Sequence, residues 1–459
     1  MKLIHIPLML LCTVSCVVAV CCVFPQEGVE MHGLKLHYLK LPDIELLTDK
    51  FPLRRQVDGI LNFESRSARL AREMAEAEAY LEKKEDYIAA LKQFDNVVSL
   101  PDSLGYDYFD DFFESLDSAE AKPVRVVYYG DSQLEEDRMT NVLRDSLQAR
   151  FGGGGVGLVP ASMDYGTMTL LQSRNYRPLQ STINAGKDFL VRGNAYGPCF
   201  IVSRITAPYH STFFPNKNVS DSIPSRFVSR VKVLADNASD LSVTVGGVEA
   251  VPDSASLPMR RYVAELDQPV SRFSVEIDGC GDVYGMLLDG ASGVSVDNVS
   301  LRGVSGNHFT HMDKEQLRDY LVNENVRLII LQYGCNQVPA LGGPVSRSKY
   351  GNSMYEQIML FKEIAPQATI LFNGPQDMRY YHFMPAVVDT LRSCALRAGV
   401  AYWSMYDAMG GEGSMAEWQQ DGLAAGDGIH FSRKGAAKMS GILYESLMKY
   451  YDYYKWKNQ

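Results

Sequence analysis

The chain has 459 residues, two to three times the size of an ordinary domain, with 46% hydrophobic and 22% charged side chains. These values exclude a small disulfide-stapled scaffold and a disordered chain, because enough apolar side chain is present to build a core. The formal net charge is −10 and no run of Lys and Arg occurs, which argues against a nucleic-acid partner. We therefore expect a long globular domain with at least one further folding unit.

The N-terminus carries an apolar segment over residues 3–24, directly after Lys2. Its length of about 22 residues corresponds to roughly 33 Å of helix, enough to cross a bilayer, and a cleaved export signal has a similar composition. Two interpretations of residues 1–24 therefore stay open, a signal peptide and a retained membrane anchor. In both interpretations we expect the rest of the chain to be exported, to the periplasm or the cell surface. Residues 25–63 contain three prolines and no periodicity, and we interpret them as a linker.

A long amphipathic helix is predicted for residues 64–98, which are rich in Ala, Glu, Lys and Arg and contain no Gly or Pro. Leu70, Met74 and Leu81 follow the spacing of one helical face. Such a helix either packs on its own domain or self-associates as a coiled coil, and the sequence leaves both alternatives open.

The cysteine pattern indicates no zinc site, because zinc ligands recur in closely spaced pairs. Four cysteines fall in the first 22 residues, and the other four are Cys199, Cys280, Cys335 and Cys394. In an exported protein Cys199 and Cys280 either form a disulfide or stay isolated as buried thiols. His308 and His311 have no carboxylate pair nearby, so we interpret them as surface residues at the start of a helix.

From residue 124 onwards, strand and helix patterns alternate along the chain. The predicted strands are 124–129, 327–332, 369–373 and 400–406, and the predicted helices are 133–150, 353–364, 384–398 and 433–450. Alternation of this kind predicts the α/β class, with a parallel sheet covered by helices on both faces in a three-layer α/β/α arrangement.

Residues 161–295 interrupt this alternation with short strand-like segments separated by Asn, Asp, Gly and Pro turns. We predict an inserted β-sandwich here, which divides the α/β domain into residues 99–160 and 296–459. The four glycines at 152–155 lack the Lys and Ser/Thr of a phosphate-binding loop, and we interpret them as a flexible turn.

Two short segments carry residues suited to nucleophilic catalysis. Ser132 follows a predicted strand in Gly130-Asp131-Ser132 and precedes a predicted helix, whose free N–H groups favour negative charge. His430 lies three residues after Asp427, close enough for the carboxylate to orient the imidazole. A serine needs such an imidazole to accept its proton, so Ser132, His430 and Asp427 form a candidate set, although each segment alone also fits an ordinary turn or helix cap.

Two further segments supply hydrogen-bond donors. Gly303 follows a strand-like run, and Asn336 lies in Gly334-Cys335-Asn336 directly after another predicted strand. Backbone amides beside a glycine and the amide of an Asn side chain are the donors that an oxyanion hole requires.

In this order, each after a predicted parallel strand or before the last helix, the four segments resemble the blocks of the SGNH (GDSL-like) hydrolase superfamily. The resemblance implies a flavodoxin-like α/β/α domain without a metal or an organic cofactor. It makes Ser132 the nucleophile, His430 the general base and Asp427 the residue that orients His430. It also implies an oxyanion hole formed by the amides of Ser132 and Gly303 and the side chain of Asn336.

The arrangement also looks like that of exported peptidoglycan O-acetylesterases, which carry an inserted domain similar to a carbohydrate-binding module. The expected function is removal of O-acetyl groups from a polysaccharide partner. Gln133 and Gln337 depart from this group, which often has His after the nucleophile and Asp after the block-three Asn, so the glycan is left unassigned. Two alternatives stay open: an O-acetyltransferase with the same triad, and a non-catalytic glycan-binding protein of the cell envelope.

Overall fold

A computed structural model describes residues 66–184, 191, 193–253 and 258–459, together with the short strands 29–31 and 34–36 and isolated residues before them. The segment 1–24 and the linker 25–63 therefore lie almost wholly outside the described residues. Within the described part of the chain, none of the helices combines the length and the apolar character needed to cross a membrane. The chain divides into two compact units, residues 1–84 and 85–459.

The described strands are β1 Val29–Met31, β2 Leu34–Leu36, β3 Val98–Ser99, β4 Val124–Gly130, β5 Gly157–Val159, β6 Leu170–Arg174, β7 Leu179–Thr182, β8 Ile201–Ile205, β9 Tyr209–Pro215, β10 Val228–Asp236, β11 Asp240–Val245, β12 Val248–Glu249, β13 Val251–Pro252, β14 Met259–Val270, β15 Phe273–Asp289, β16 Val294–Ser300, β17 Val326–Gln332, β18 Thr369–Gly374 and β19 Ala401–Ser404. The described α-helices are α1 Arg66–Lys92, α2 Asp110–Asp117, α3 Thr140–Phe151, α4 Lys314–Asn323, α5 Pro344–Ile364, α6 Met384–Arg397, α7 Met405–Met409, α8 Ser414–Gln420 and α9 Arg433–Lys457.

A six-stranded sheet with the order β16-β4-β17-β18-β19-β3 forms the centre of the α/β part. Its first five strands are parallel, and β3 pairs antiparallel with β19 at the edge. The chain moves outward from β4 first to β16 and then in the opposite direction to β17, β18 and β19. Right-handed crossovers in opposite directions place helices on both faces of a sheet, which is the flavodoxin-like arrangement. The predicted α/β class is confirmed.

Strand β4 shows why this sheet forms. All seven residues from Val124 to Gly130 are buried, as expected for a parallel strand covered on both faces. The run is rich in Val and Tyr, which favour strands because their bulk near the backbone packs well on a pleated surface.

The segment between β4 and β16 in this sheet forms a second, antiparallel network of eleven strands, β5 to β15. The 17-residue β15 joins its two parts, since its first half pairs with β9 and β11 and its second half with β5, β8 and β10. A separate set of buried side chains, including Val231, Val243, Val275 and Met286, forms its core. The assignment of residues 161–295 as a separate β-sandwich domain stays a prediction.

The glycines at 152–155 are not a flexible turn, and that interpretation was wrong. Gly154 and Gly155 are buried where the chain passes against β15 and the start of β16. A Cβ atom on Gly155 would lie 2.0 Å from the carbonyl oxygen of Leu288, and one on Gly153 would lie 2.3 Å from that of Val294. Only glycine permits this backbone approach, and the positive φ angles of Gly153 and Gly155 add to the requirement.

Helix α1 is shorter than the predicted 64–98. It ends at Lys92, and Val98 and Ser99 instead form β3. The intervening segment contains Asp95 and Asn96, which favour turns over helix because their side chains compete for backbone hydrogen bonds. Leu70, Met74 and Leu81 are more than half exposed, and self-association through this helix stays a prediction.

The last turns of α1 pack within the unit of residues 85–459. Tyr87 stacks on Trp456 of α9, with 5.2 Å between the ring centroids.

Cys199 is buried and Cys280 is exposed, and both are free thiols. Burial raises the pKa of the Cys199 thiol well above its usual range.

A buried ion network connects the two sheets. Arg125 of β4 donates to Asp297 of β16 at 2.6 Å and to Asp289 of β15 at 2.5 Å. Asp297 also accepts the backbone N–H of Leu158 in β5 at 2.8 Å and the hydroxyl of Tyr320 in α4. These charges are shielded from water, so each depends on its partners for solvation.

We expect Arg125→Ala to lower the free energy of unfolding by about 3–5 kcal/mol, because it leaves two buried carboxylates without their cation. Urea denaturation of the full chain measures this loss. The matched control is Arg230→Ala, which removes a partly exposed pair with Glu265 and is expected to cost less than about 1 kcal/mol. Equal losses in the two variants would contradict a special role for the buried network.

Candidate active site

The four predicted segments meet at one edge of the parallel sheet. Ser132 lies two residues beyond β4, Gly303 three residues beyond β16, and Asn336 four residues beyond β17. His430 lies in the loop that leads into α9. The carboxyl ends of parallel strands share one edge, which is where ligands bind in open α/β sheets.

Ser132, His430 and Asp427 form a continuous chain of hydrogen bonds. The Oγ atom of Ser132 lies 2.8 Å from Nε2 of His430, and Nδ1 of His430 lies 2.7 Å from Oδ2 of Asp427. A neutral imidazole with its proton on Nδ1 donates to Asp427 and offers Nε2 as the acceptor for the serine proton. The arrangement is therefore suited to nucleophilic attack by Ser132.

Asp427 is held in place by backbone N–H groups of the loop that carries His430. Its Oδ1 atom accepts the backbone N–H groups of Ile429 at 2.9 Å and His430 at 3.0 Å. Partial burial alone would raise the pKa of Asp427, but the hydrogen bonds from His430 and Ile429 together hold it below the usual value. The carboxylate stays ionised and ready to stabilise a protonated His430.

Ser132 does not begin an α-helix, contrary to the prediction. It opens a short 3₁₀ segment, Ser132–Asp137, and the α-helix begins only at Thr140. Glu136 and Asp137 have positive φ angles of 58° and 49°, which interrupt any regular helix. The N–H groups near Ser132 therefore belong to a tight turn, and the full dipole of an α-helix does not point at the serine.

Asp131 and Asn336 are joined beneath the serine. The Nδ2 atom of Asn336 donates to Oδ2 of Asp131 at 3.1 Å and to the carbonyl oxygen of Val304 at 2.9 Å. Both hydrogens of this amide are thus engaged within the chain. One of them must be shared or released before Asn336 can donate to a bound oxyanion, so the oxyanion role of Asn336 stays a prediction.

Gly303 adopts a φ angle of 81°, which glycine reaches without strain. The residue is exposed, and a Cβ at this position would meet no atom within 4 Å. Its loop is tied to the serine strand, because the N–H of Leu301 donates to the carbonyl oxygen of Gly130 at 3.2 Å. The structure thus holds the Gly303 loop next to the end of the strand that carries Ser132, and the role of Gly303 in an oxyanion hole stays a prediction.

Gln133 is a site residue to which the sequence assigned no role. Its buried side chain donates from Nε2 to the carbonyl oxygen of Ile429 at 2.9 Å and accepts the N–H of Phe431 at 3.2 Å. These two backbone groups flank His430. Gln376 also donates to the carbonyl oxygen of Ile429, at 2.7 Å. Gln133 lies directly after Ser132, which is a signal that sequence inspection can find, whereas nothing in the sequence marks Gln376.

Within the described residues, no three His, Cys, Asp or Glu side chains come together in a way that could hold a metal ion. His308, one of the two histidines considered above, is half-buried, whereas the sequence predicted a surface position. It packs against Phe200 and Phe309, and burial lowers its pKa to about 3. His308 is therefore a neutral, half-buried residue.

The strand order and the carboxyl-edge positions of the four segments agree with the flavodoxin-like α/β/α fold that the sequence resemblance implies. The chain is similar to a solved peptidoglycan O-acetylesterase structure, with a TM-score of 0.62 and 20% sequence identity. The match covers 75% of this chain and 96% of that one. At this identity the similarity establishes the fold.

Other solved structures overlap more loosely. A family two carbohydrate esterase from Cellvibrio japonicus has a TM-score of 0.27 and 12% identity, covering 62% of this chain and 99% of that one. Another from Clostridium thermocellum, in complex with cellohexaose, has a TM-score of 0.26 and 10% identity, covering 48% and 89%. Because their TM-scores are so low, these two structures support no conclusion about this chain. No protein-family model and no curated protein matches the chain.

We expect Gln133→Ala to slow covalent labelling of Ser132 by a fluorophosphonate probe on the order of 10-fold or more, because a small displacement of His430 weakens activation of the serine. Labelling rates measured against pH separate this effect from unfolding. The matched control is Gln148→Ala, another buried glutamine that bonds to backbone carbonyl groups but lies away from the His430 loop. A normal labelling rate in Gln133→Ala would show that the His430 loop keeps its position without the hydrogen bonds from Gln133.

Asp131 is expected to make stability depend on pH. Burial raises its pKa to about 6, despite the hydrogen bond from the Gln133 N–H and the nearby His430. The folded state therefore binds this proton more tightly than the unfolded chain, and the stabilisation present below pH ~4 is lost as pH rises through about 6.

The effect on the free energy of unfolding is about 3 kcal/mol, because the pKa of Asp131 is shifted by about two units. Urea denaturation at pH 4 and pH 7 measures it as the difference between the wild-type chain and Asp131→Asn, whose side chain does not titrate. The variant's loss of stability relative to wild type should be larger at pH 4. A loss that is the same at both pH values would contradict the raised pKa.

Proposed function

We propose that the chain is an exported serine esterase that removes O-acetyl groups from a polysaccharide of the cell envelope, with peptidoglycan as the first candidate. The observation that carries this proposal is the hydrogen-bonded chain from Ser132 through His430 to Asp427 at the carboxyl edge of an SGNH-type sheet. Because the bond between Ser132 and His430 joins residues 298 positions apart, it reflects the folded arrangement of the site.

The proposed reaction begins when Nε2 of His430 takes the proton of Ser132 and Oγ bonds to the ester carbonyl carbon. The carbonyl oxygen gains negative charge, which the N–H groups of Ser132 and Gly303 and the amide of Asn336 would stabilise. When the carbon–oxygen bond to the sugar breaks, His430 gives its proton to the departing sugar oxygen, which leaves as a hydroxyl group. Ser132 is then left as its acetyl ester.

Water completes the cycle. His430 takes a proton from water, the hydroxide oxygen bonds to the acetyl carbon, and the bond to Ser132 Oγ breaks as that oxygen regains the proton. The products are acetic acid and the free enzyme. These steps use the side chains and backbone of the site together with water.

The choice of a glycan ester rests on two supports. The fold is similar to that of a protein named as a peptidoglycan O-acetylesterase, over 96% of that chain's length. In addition, the antiparallel strands of residues 157–289 supply an extended surface next to the α/β part, and we propose that they bind or position carbohydrate. Export through residues 1–24, as a signal peptide or a membrane anchor, and self-association through residues 64–98 complete the proposal.

We expect Ser132→Ala to abolish acetate release from O-acetylated peptidoglycan, with a loss of at least about 10³-fold, because the nucleophile is absent. Acetate is quantified enzymatically, with acetylated xylan as a second substrate. The matched control is Ser348→Ala, at an exposed position in α5, which should retain full activity. Full activity of Ser132→Ala would overturn the proposal, and acetyl transfer to an added glycan in place of water would assign the acetyltransferase alternative.

A further inference from the structure

Three carboxylates follow one another in the turn after Ser132. Glu135, Glu136 and Asp137 belong to the short 3₁₀ segment that begins at Ser132, and we call residues 132–137 the serine turn. Each carboxylate forms an ion pair with an arginine from a different part of the chain, and these arginines lie between 7 and 297 positions away in the sequence. The serine turn is therefore tied to three other parts of the fold.

Glu135 connects the serine turn to the glycine loop, by which we mean residues 301–306 after β16. The Nη2 atom of Arg302 lies 2.8 Å from each of the two carboxylate oxygens of Glu135. Arg302 directly precedes Gly303, whose N–H group is a candidate oxyanion donor. Because both carboxylate oxygens are engaged, the pair defines where the glycine loop lies relative to the serine turn.

Glu136 connects the serine turn to the first residue of α9. Its Oε2 atom accepts a hydrogen bond from Nη2 of Arg433 at 2.8 Å. Arg433 is the third residue after His430, and only Phe431 and the helix cap Ser432 separate the two. Because so little chain lies between them, a displacement of Arg433 also displaces the backbone of His430. Two adjacent carboxylates therefore each hold one of the loops that supply the other groups of the site.

Glu136 holds its carboxylate in a backbone conformation that few side chains adopt. The φ and ψ angles are −54° and 142° at Glu135 and 58° and 21° at Glu136. These are the central angles of a type II β-turn, whose second central position favours glycine because a Cβ atom is crowded there. Strain of this kind persists where the surrounding structure imposes it, and it is concentrated at functional sites. The ion pair with Arg433 is the contact that a glycine at this position would lose.

Asp137 has a different role from its two neighbours. Its side chain is buried, and it accepts hydrogen bonds from Nη1 of Arg144 at 2.6 Å and from the N–H of Met168 at 2.6 Å. Breaking a buried pair of this kind destabilises the fold. The arginines that pair with Glu135 and Glu136 are instead 69% and 67% exposed, and exposed pairs add little to the free energy of unfolding. Their expected effect is therefore on the geometry of the site.

We propose that Glu135 and Glu136 are positioning residues for the reaction at Ser132. Glu135 acts through Arg302 and keeps the glycine loop where its N–H groups can reach the developing oxyanion. Glu136 acts through Arg433 and keeps the general base within reach of the serine. This inference rests on the proposed function, because it assigns roles around the same serine, and neither carboxylate forms a bond to the substrate.

Two uncharged esters separate the two roles. The value of kcat/KM is measured for 4-nitrophenyl acetate and for ethyl acetate, since it reports the steps up to formation of the acetylated serine. Nitrophenolate departs without a proton, whereas the departing ethoxide takes one from His430. We expect Glu135→Gln to lower both values on the order of tenfold, because both reactions form an oxyanion. We expect Glu136→Gln to lower the value for ethyl acetate about fivefold more than the value for 4-nitrophenyl acetate.

The matched control is Glu363→Gln, which removes an exposed ion pair with Lys314 between α4 and α5. It should leave both values of kcat/KM unchanged. Wild-type values in Glu135→Gln would overturn the role of Glu135. An unchanged ratio between the two esters in Glu136→Gln would overturn the role of Glu136.

The variant Glu136→Gly separates positioning from folding. Glycine adopts a φ angle of 58° without strain, so we expect the Tm of this variant to equal or exceed that of the wild-type chain. Because the carboxylate is absent, kcat/KM for ethyl acetate should fall as it does in Glu136→Gln. A loss of activity accompanied by a lower Tm in both variants would assign the pair to folding and overturn the positioning role.

The dependence of activity on salt gives a further readout. Because the two arginines are exposed, salt screens their pairs, whereas neither ester carries a charge that salt could screen. Between about 0.05 and about 1 M sodium chloride we expect kcat/KM of the wild-type chain to fall about threefold or more. The double variant Glu135→Gln/Glu136→Gln should change little over the same range. Equal falls in the two proteins would overturn the contribution of the pairs.

Different results identify the failure of this inference and the failure of the proposed function. A wild-type chain that cleaves the two small esters but releases no acetate from glycans would overturn the polysaccharide function, and the variants would still decide the positioning roles. Acetate release from glycans, with wild-type rates in Glu135→Gln and Glu136→Gln, would overturn only the positioning roles. A wild-type chain that cleaves no ester would overturn both.

Discussion

The position of Arg125 constrains most of the structure. Its guanidinium lies between carboxylates on two different sheets, Asp297 on β16 and Asp289 on β15. A buried cation can bond both only if β4, β16 and β15 keep one register, so the network links the parallel sheet to the antiparallel one. The same strands carry Ser132 and Gly303 at their ends, and the geometry of the site therefore depends on charges buried well away from it.

The active-site geometry depends on a second set of contacts, between loops. Gln133 and Gln376 approach the carbonyl oxygen of Ile429 from two different strand ends and hold the backbone on either side of His430. Asp427 lies in the same loop and also holds this backbone, because it accepts the N–H groups of Ile429 and His430. The imidazole is thus positioned through its backbone as well as through its ring, which limits how far it can move when Ser132 loses its proton.

Local patterns explain which features were predictable. Buried parallel strands such as Val326–Gln332 stand out as continuous apolar runs, and the order of the four short segments placed Ser132 near His430 despite their separation. The break after Ser132 was missed because helical periodicity continues through residues 133–150 while Glu136 adopts a positive φ angle. Arg125 and Gln376 gave no signal, since their partners lie far along the chain and only the fold brings them together.

The glycine-rich crossing has a consequence for how this chain is assembled. Gly152 accepts the N–H of Val294 at 2.9 Å, and Gly154 accepts that of Gly290 at 2.9 Å, so the outgoing and returning backbones run side by side. The roughly 140 residues between them therefore leave and rejoin the α/β part at adjacent positions of the backbone. The strands in between can therefore vary in length without separating the end of α3 from β16, as long as Asp289 and Leu158 keep their bonds to Arg125 and Asp297.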